Sequence, residues 1–458
     1  MERKQAEELQ FKNPSSVVSD AKTLDIIGEF IDGYRRFIDT AKTERLATAY
    51  AEREARSYGF RPIADGEALH PGDKVYYVNK NKCIILAVVG KKSMENGCRI
   101  IASHIDSPRL DFKPQPVFEQ SGISYFKTHY YGGIKKYQWT AIPLELHGVV
   151  YLADGSRVDV NIGADDDDPV FYISDLMPHI GKDQMNKTAA EFIPGEILNI
   201  INGSLPLDEE GGVKLNVLSI LNEKYGITER DLITAELSAV PAFKSRFVGL
   251  DRSMIGAYGQ DDRICAYPAL RALLAEPNPE YTSVLMLADK EEIGSVGITG
   301  LGSDTYPDFI ARLCAAAGAD FLACKRESVC LSADVGGAYD PCFADAYEAN
   351  NSAYLNRGVV ISKYTGSRGK GGCSDAAAET MSRVARAFDK EGVAWQVGEY
   401  GKVDQGGAGT VASEIAANGI EVVDCGVPIL SMHSPYELAS KFDIYEMFKA
   451  ASAFYKMN

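Results

Sequence analysis

The chemistry of this 458-residue chain is densest at Glu291-Glu292. An apolar run of strand length, Val284 to Ala288, stops abruptly at charge. Gly294 and Gly297 follow, so the backbone there can turn tightly or approach a ligand closely. Two adjacent carboxylates at the C-terminal end of a strand suit a metal site, where one binds the cation and its neighbour faces the reacting water. Taken alone, a Glu-Glu pair is more commonly a solvated loop, so its meaning depends on the rest of the chain. Two more apolar runs end in metal-ligating residue types, Cys98–Ser103 at His104 and Ser328–Ala333 at Asp334. His433 closes a looser apolar segment, and Asp261 opens a helix. Asp106 stands two residues after His104, on the same side of an extended segment, where one of the pair can ligate a metal while the other orients it. Two histidines and three carboxylates, all nitrogen and oxygen donors, suit zinc, cobalt or manganese. Five ligands exceed one tetrahedral site, but two ions about 3.5–4 Å apart can share a bridging carboxylate.

These side chains need a scaffold that presents strand ends together. Apolar residues make up 45% of the chain, ample for large cores, and the formal net charge of -16 argues against a nucleic-acid partner. No run approaches the roughly 20 apolar residues of a membrane span, and the first residues lack the pattern of a signal or transit peptide. Nine scattered cysteines without a Cys-x-x-Cys spacing read as reduced thiols in a cytoplasmic protein. Helical spacing predicts helices over 24–41 and 44–58, followed by strands at 74–78, 83–89 and 98–103. From about Leu110 to Phe243 the texture changes to aromatic and β-branched alternation broken by turns such as Gly132-Gly133 and Asp154-Gly155, which predicts antiparallel β-structure. The run Asp165–Asp168 reads as a solvated loop, since it lacks the spaced ligands of a calcium loop. Strand–helix alternation resumes after Gly249, with helices predicted over 264–275, 308–317, 375–388 (Ser374 as N-cap), 410–418 (closed by Gly419) and 437–456. The expected fold is therefore α/β. A discontinuous domain, 1–109 and 244–458, is built on a central, mostly parallel sheet, and a β-rich domain, 110–243, is inserted into it. Ligands in such sheets bind at the carboxyl ends of the strands.

Ser103-His104-Ile105-Asp106-Ser107-Pro108, Asp261-Asp262-Arg263, Asp289 to Ser295, Ser332-Ala333-Asp334 and Met432-His433-Ser434 occur in this order. Together they resemble the aspartyl aminopeptidase family of dizinc metallopeptidases, over essentially the whole chain. The resemblance implies that His104, Asp261, Glu292, Asp334 and His433 bind two divalent ions, with Asp261 bridging. It implies further that Glu291 is the general base and that Asp106 orients His104. Relatives on this plan commonly carry a cis peptide after the bridging aspartate, so one is expected between Asp261 and Asp262. They dimerise through the inserted domain, pass a histidine into the partner's active site and often close into assemblies of twelve. His179, after Pro178 in a loop of the insertion, is the matching candidate. A substrate-pocket lysine falls near Lys363, in the Gly-rich loop 363–372. The implied activity is removal of single residues, Asp or Glu foremost, from peptide N-termini. After the bridging aspartate such relatives usually have Asn, whereas here Asp262-Arg263 follows, a version that also resembles the glutamyl and lysyl aminopeptidase families. The Gly-rich loop is more elaborate than strict aspartyl aminopeptidases have, and the two departures leave the N-terminal preference open, neutral or hydrophobic residues included. Two rivals remain, a metal-dependent deacylase or carboxypeptidase on the same plan and a catalytically idle assembly scaffold.

Overall fold

The computed structural model describes residues 3–7 and 9–458 and divides into two units. The first comprises Met1–Asp106, Ser245–Met432 and Glu437–Asn458. Its centre is a nine-stranded sheet in the order Arg61–Pro62, Lys74–Asn79, Cys83–Val88, Ser283–Ala288, Arg99–His104, Val329–Ser332, Glu421–Gly426, Val359–Ser362, Trp395–Val397. Ser283–Ala288, Arg99–His104, Val329–Ser332 and Glu421–Gly426 run parallel, whereas Cys83–Val88 and Val359–Ser362 pair antiparallel to their neighbours in this group.

The central strands are buried on both faces, which explains why their sequences are continuous apolar runs rather than alternating ones. Alternate residues of one strand feed different cores. Ile84, Leu86 and Val88 pack with the helices Ala21–Thr40, Glu44–Ser57, Gln260–Leu274 and Lys441–Tyr455, while Cys83, Ile85 and Ala87 pack with Thr305–Ala317 and Ala412–Ala417. A second sheet of this unit, five-stranded, contains Met254–Ala257, Glu437–Ser440 and Pro428–Leu430 as neighbours.

Several helix boundaries differ from the sequence expectation, and the helices starting at Ala21, Gln260 and Thr305 begin three or four residues earlier than expected. The terminal helix begins at Lys441, because Glu437–Ser440 is taken up as a strand between Met254–Ala257 and Pro428–Leu430. The helix predicted from Asp375 begins at Ala378, and its N-cap is Ala377, not Ser374. The helix predicted over 410–418 is confined to Ala412–Ala417, with Gly419 left-handed beyond it.

The second unit comprises Ser107–Lys244 and His433–Tyr436. Arg109–Gln120, Ile123–Tyr131, Ile200–Gly203, Phe171–Tyr172, Pro143–Tyr151 and Glu236–Pro241 pair antiparallel in that sequence, and Glu236–Pro241 pairs again with Arg109–Gln120. The ring is thus a closed barrel, a form that removes exposed sheet edges. Besides strands, the unit holds the helix Val213–Tyr225, which its apolar pattern does not announce, since Leu215 and Ile220 are exposed. Asp165, Asp166 and Asp167 are exposed. Among the described residues, all nine cysteines are free and no helix is long and apolar enough to cross a membrane.

Candidate metal centre

The parallel register sets His104 beside Ala288 and Ser332 beside Ala102, so the chain leaves three neighbouring strands at one sheet edge. After Ala288 it reverses in a single 3-10 turn, Glu291–Ile293, flanked by Lys290 and Gly294 in the left-handed region. Asp106 ties this turn to the histidine. Its carboxylate accepts the backbone N–H of Glu291 on one oxygen and that of Glu292 on the other, each at 3.2 Å. His104 Nδ1 lies 3.0 Å from the Asp106 carbonyl oxygen and 3.3 Å from its carboxylate. With Nδ1–H donating there, Nε2 is the ring nitrogen turned toward the remaining carboxylates. Nε2 is 3.2 Å from Asp261 Oδ1, 3.8 Å from Glu291 Oε2 and 3.8 Å from Asp334 Oδ1.

Asp261 and Asp262 interrupt the start of the helix Gln260–Leu274 with non-helical backbone, and the peptide between them is cis, as expected. The turn is held from both sides. Glu437 Oε2 accepts the N–H of Gln260 at 2.6 Å and that of Asp261 at 3.2 Å. The buried guanidinium of Arg263 donates to the carbonyls of Gly259 and Ala41, at 2.9 and 2.7 Å. Ser103 Oγ donates to Asp262 Oδ2 at 2.5 Å.

The first unit thus gathers six carboxylates (Asp106, Asp261, Asp262, Glu291, Glu292, Asp334) around one imidazole. Burial depresses the basicity of His104, but its bonds to Asp106 and Asp261 and the charges of Glu291 and Asp334 outweigh this and hold its pKa well above the ordinary value. Burial pushes Asp262 well above the usual carboxylate range, and pushes Asp334 up as well, aided by the charge of Asp262. Such a surplus of buried negative charge is what divalent cations discharge. The donors fit: those of His104, Asp261 and Glu292 lie within 4.8 Å of one another, as do those of His104, Asp262 and Asp334. All are oxygen or imidazole nitrogen, suited to zinc.

Asp262 is a candidate donor that reasoning from sequence did not assign, and its only signal was adjacency to Asp261. The other expected residues lie elsewhere. Lys363, exposed, follows the strand Val359–Ser362 and lines a cavity of about 260 Å3 with Tyr364 and Glu399. His179 and His433 belong to the second unit. His179 is exposed in the turn Pro178–Ile180, and His433 Nδ1 lies 2.7 Å from the Gly133 carbonyl.

Comparison with known proteins converges on one family. Residues 37–455 match the family model described as aminopeptidase I zinc metalloprotease (M18). The chain is 46% identical over 446 residues to the probable M18 family aminopeptidase 1 of Clostridium acetobutylicum, covering 95% of this chain and 96% of that one. It is 46% identical over 432 residues to the Thermotoga maritima protein of the same description, covering 93% and 95%. The crystal structure of an M18 aminopeptidase from Thermotoga maritima superposes with a TM-score of 0.94 at 43% identity, covering 98% of this chain and 100% of that one. With the family model spanning most of its length, this chain belongs to the M18 family of zinc metalloaminopeptidases, which includes the aspartyl aminopeptidases.

Proposed function

We propose that this aminopeptidase uses two divalent ions, zinc by family, to remove single residues from peptide N-termini, Asp and Glu foremost, with Glu291 as general base. The observation that carries this reading is the division of labour between the adjacent glutamates. Glu292 belongs to a donor triad, whereas Glu291 belongs to neither and still keeps Oε2 3.8 Å from His104 Nε2. With both Asp106 oxygens taken by the N–H groups of Glu291 and Glu292, it is the carboxylate left for proton transfer. In this reading His104, Asp261, Glu292, Asp334 and His433 are the ligands, with Asp261 bridging. His433 rests on the Met432-His433-Ser434 motif. Asp106 orients the His104 ring. When bound, the ions supply Lewis acidity that acidifies a water and polarises the scissile carbonyl. Glu291 accepts the proton of the attacking water and passes it to the leaving amine.

The catalytic domain is then 1–109 with 244–458, and 110–243 is a dimerisation domain from which His179 of another copy donates an N–H to the developing oxyanion. In support, Leu176, Met177, Ile180 and Met185 around His179 are 46%, 57%, 64% and 67% exposed, an apolar stretch that association would cover. A structure of the Saccharomyces cerevisiae mApe1 dodecamer shares the fold, with a TM-score of 0.76 at 22% identity, and a dimer-built dodecamer is our reading for this chain. Buried free thiols accord with a reducing, cytoplasmic setting.

Lys363 is the residue assigned to an acidic substrate side chain. Ile361, Met381 and Val397 line the same cavity and favour the second reading, a neutral or hydrophobic preference. A hydrolysis screen over all N-terminal residue types, with zinc, cobalt and manganese, decides between them. Under the first reading Lys363→Ala penalises Asp and Glu substrates far more than Leu, and equal losses on all three would reject it.

A further inference from the structure

We propose that Asp289 and Thr299 are positioning residues for the hydrolysis, a buried clasp that aims the carboxylate of Glu291. This rests on Glu291 being the general base. The strand Ser283–Ala288 delivers Asp289 to the head of the loop that carries Glu291 and Glu292, and Thr299 stands at the end of that loop. Two hydrogen bonds join the pair. The Asp289 N–H donates to the Thr299 carbonyl at 3.2 Å, and the Thr299 hydroxyl donates to Asp289 Oδ2 at 2.7 Å. Thr299 is itself fixed to the fold. The Tyr306 hydroxyl donates to the same Thr299 carbonyl at 2.9 Å, and the neighbouring Ile298 carbonyl accepts from Asn79 Nδ2 at 2.7 Å and from Thr305 Oγ1 at 3.0 Å.

The loop depends on such polar ties. Ile293, Val296 and Ile298 are all exposed, so apolar packing contributes little between the clasped ends. Asp106 holds the turn from inside through the N–H groups of Glu291 and Glu292, and the clasp holds it at its base.

The carboxylate of Asp289 is buried, and among the described residues the Thr299 hydroxyl is its one hydrogen-bond donor. Its Oδ1 has no hydrogen-bond partner. Lys82 Nζ stands 4.0 Å from Oδ2, an ion-pair distance, and is nearer to Glu44, at 3.6 Å. Burial, with the charges of Glu44 and Asp106, pushes the pKa of Asp289 up to about 6, while Lys82 and the Thr299 hydroxyl act the other way. A buried carboxylate with one hydrogen bond is one donor away from being an uncompensated charge. Without the hydroxyl, Asp289 turns toward Lys82, and the displacement passes through Lys290 to Glu291, two residues on. The effect falls on Glu291 rather than on Glu292, whose carboxylate is anchored as a ligand when the metal is bound.

Thr299→Val removes the hydroxyl and keeps the shape of the side chain. In the zinc-loaded, full-length enzyme, kcat should fall about ten- to a hundredfold, as it does when a catalytic group is displaced by up to ~1 Å. KM and zinc stoichiometry should stay at wild-type values. Thr299→Ser replaces the hydroxyl and should recover kcat, and a serine variant no better than valine overturns the clasp. A lowered melting temperature with kcat per folded, zinc-loaded enzyme unchanged also overturns it, since the pair would then only stabilise the fold. So would zinc loss in Thr299→Val with activity restored by added zinc, which would assign the clasp to Glu292. The double variant Thr299→Val/Glu291→Gln separates the clasp from the base assignment. If the clasp acts through Glu291, Thr299→Val costs less than about twofold on the residual rate of Glu291→Gln, and an undiminished loss there overturns it. A kcat in Glu291→Gln close to wild type overturns the base assignment itself, and the clasp with it. Should Thr299→Val not fold, Thr299→Ala takes its place against Thr299→Ser.

Discussion

Substituting Asp106 by asparagine separates holding the metal from performing the reaction. The two carboxylate oxygens of Asp106 are both committed to donors. Oδ1 accepts from Glu291 N–H at 3.2 Å and lies 3.3 Å from His104 Nδ1, while Oδ2 accepts from Glu292 N–H at 3.2 Å. An amide can satisfy only one side, so in Asp106→Asn every rotamer of the new side chain would set N–H against N–H. The cheaper rotamer puts the amide nitrogen toward Glu292, losing one bond to a charged acceptor, about 1.5–3 kcal/mol. The loss falls on the peptide that carries a donor of the His104–Asp261–Glu292 triad, so metal affinity should drop about 10–100-fold, the range typical of groups that orient a ligand. Zinc retained against a graded series of chelators measures this directly. Activity should return as free zinc is raised, because Glu291 keeps its carboxylate and its own N–H bond. Unchanged zinc affinity would refute the assignment. A fall in kcat that saturating zinc does not restore would refute it differently, by making Asp106 a participant in the reaction.

Three further expectations follow from the proposed roles and the packing around the site. Glu291→Gln should keep its metal but lose orders of magnitude in kcat, since an amide cannot accept the water's proton, whereas Glu292→Gln should lose metal from one site. Equal metal loss in both variants, measured by elemental analysis, would end the base assignment. His179→Ala should retain metals and assembly but lose about 10²-fold in kcat, the usual worth of one oxyanion donor. Mixing it with Glu291→Gln protein should recover part of the activity through hybrid dimers, and no recovery despite confirmed subunit exchange would exclude a contribution from the neighbouring copy. Glu437→Ala should destabilise the fold by about 3 kcal/mol by orphaning the buried N–H groups of Gln260 and Asp261, while Glu437→Gln, which can still present an oxygen to both, should cost less than half as much in urea denaturation.

What the sequence makes legible here depends on how far apart the cooperating residues lie along the chain. The buried strands announce themselves because both faces are covered, so Cys83–Val88 and Ser283–Ala288 read as unbroken apolar runs. The candidate donors His104, Glu292 and Asp334 are legible for a related reason, since each follows the last apolar residue of a strand and a parallel sheet delivers such ends to one edge. The short-range device His104–Asp106 is also readable, as it needs only the two-residue period of extended chain. Periodicity says nothing about partners remote in sequence. Glu437 sits 177 residues from Gln260, and its carboxylate reads locally as the first turn of a helix, the role wrongly expected for it. In fact Glu437–Ser440 is a strand because Met254–Ala257 and Pro428–Leu430 supply its hydrogen bonds, and that placement brings the carboxylate against the turn bearing Asp261. Barrel closure is hidden in the same way, since Glu236–Pro241 must pair with both Arg109–Gln120 and Pro143–Tyr151. Asp262 was hidden despite lying beside Asp261, because residue spacing does not show where two adjacent side chains in a turn before a helix point. The non-helical backbone at both residues lets Asp262 join His104 and Asp334 while Asp261 joins His104 and Glu292. The centre is therefore assembled from a local code at the strand ends and a non-local clamp on one turn, and only the first of these is written in residue spacing.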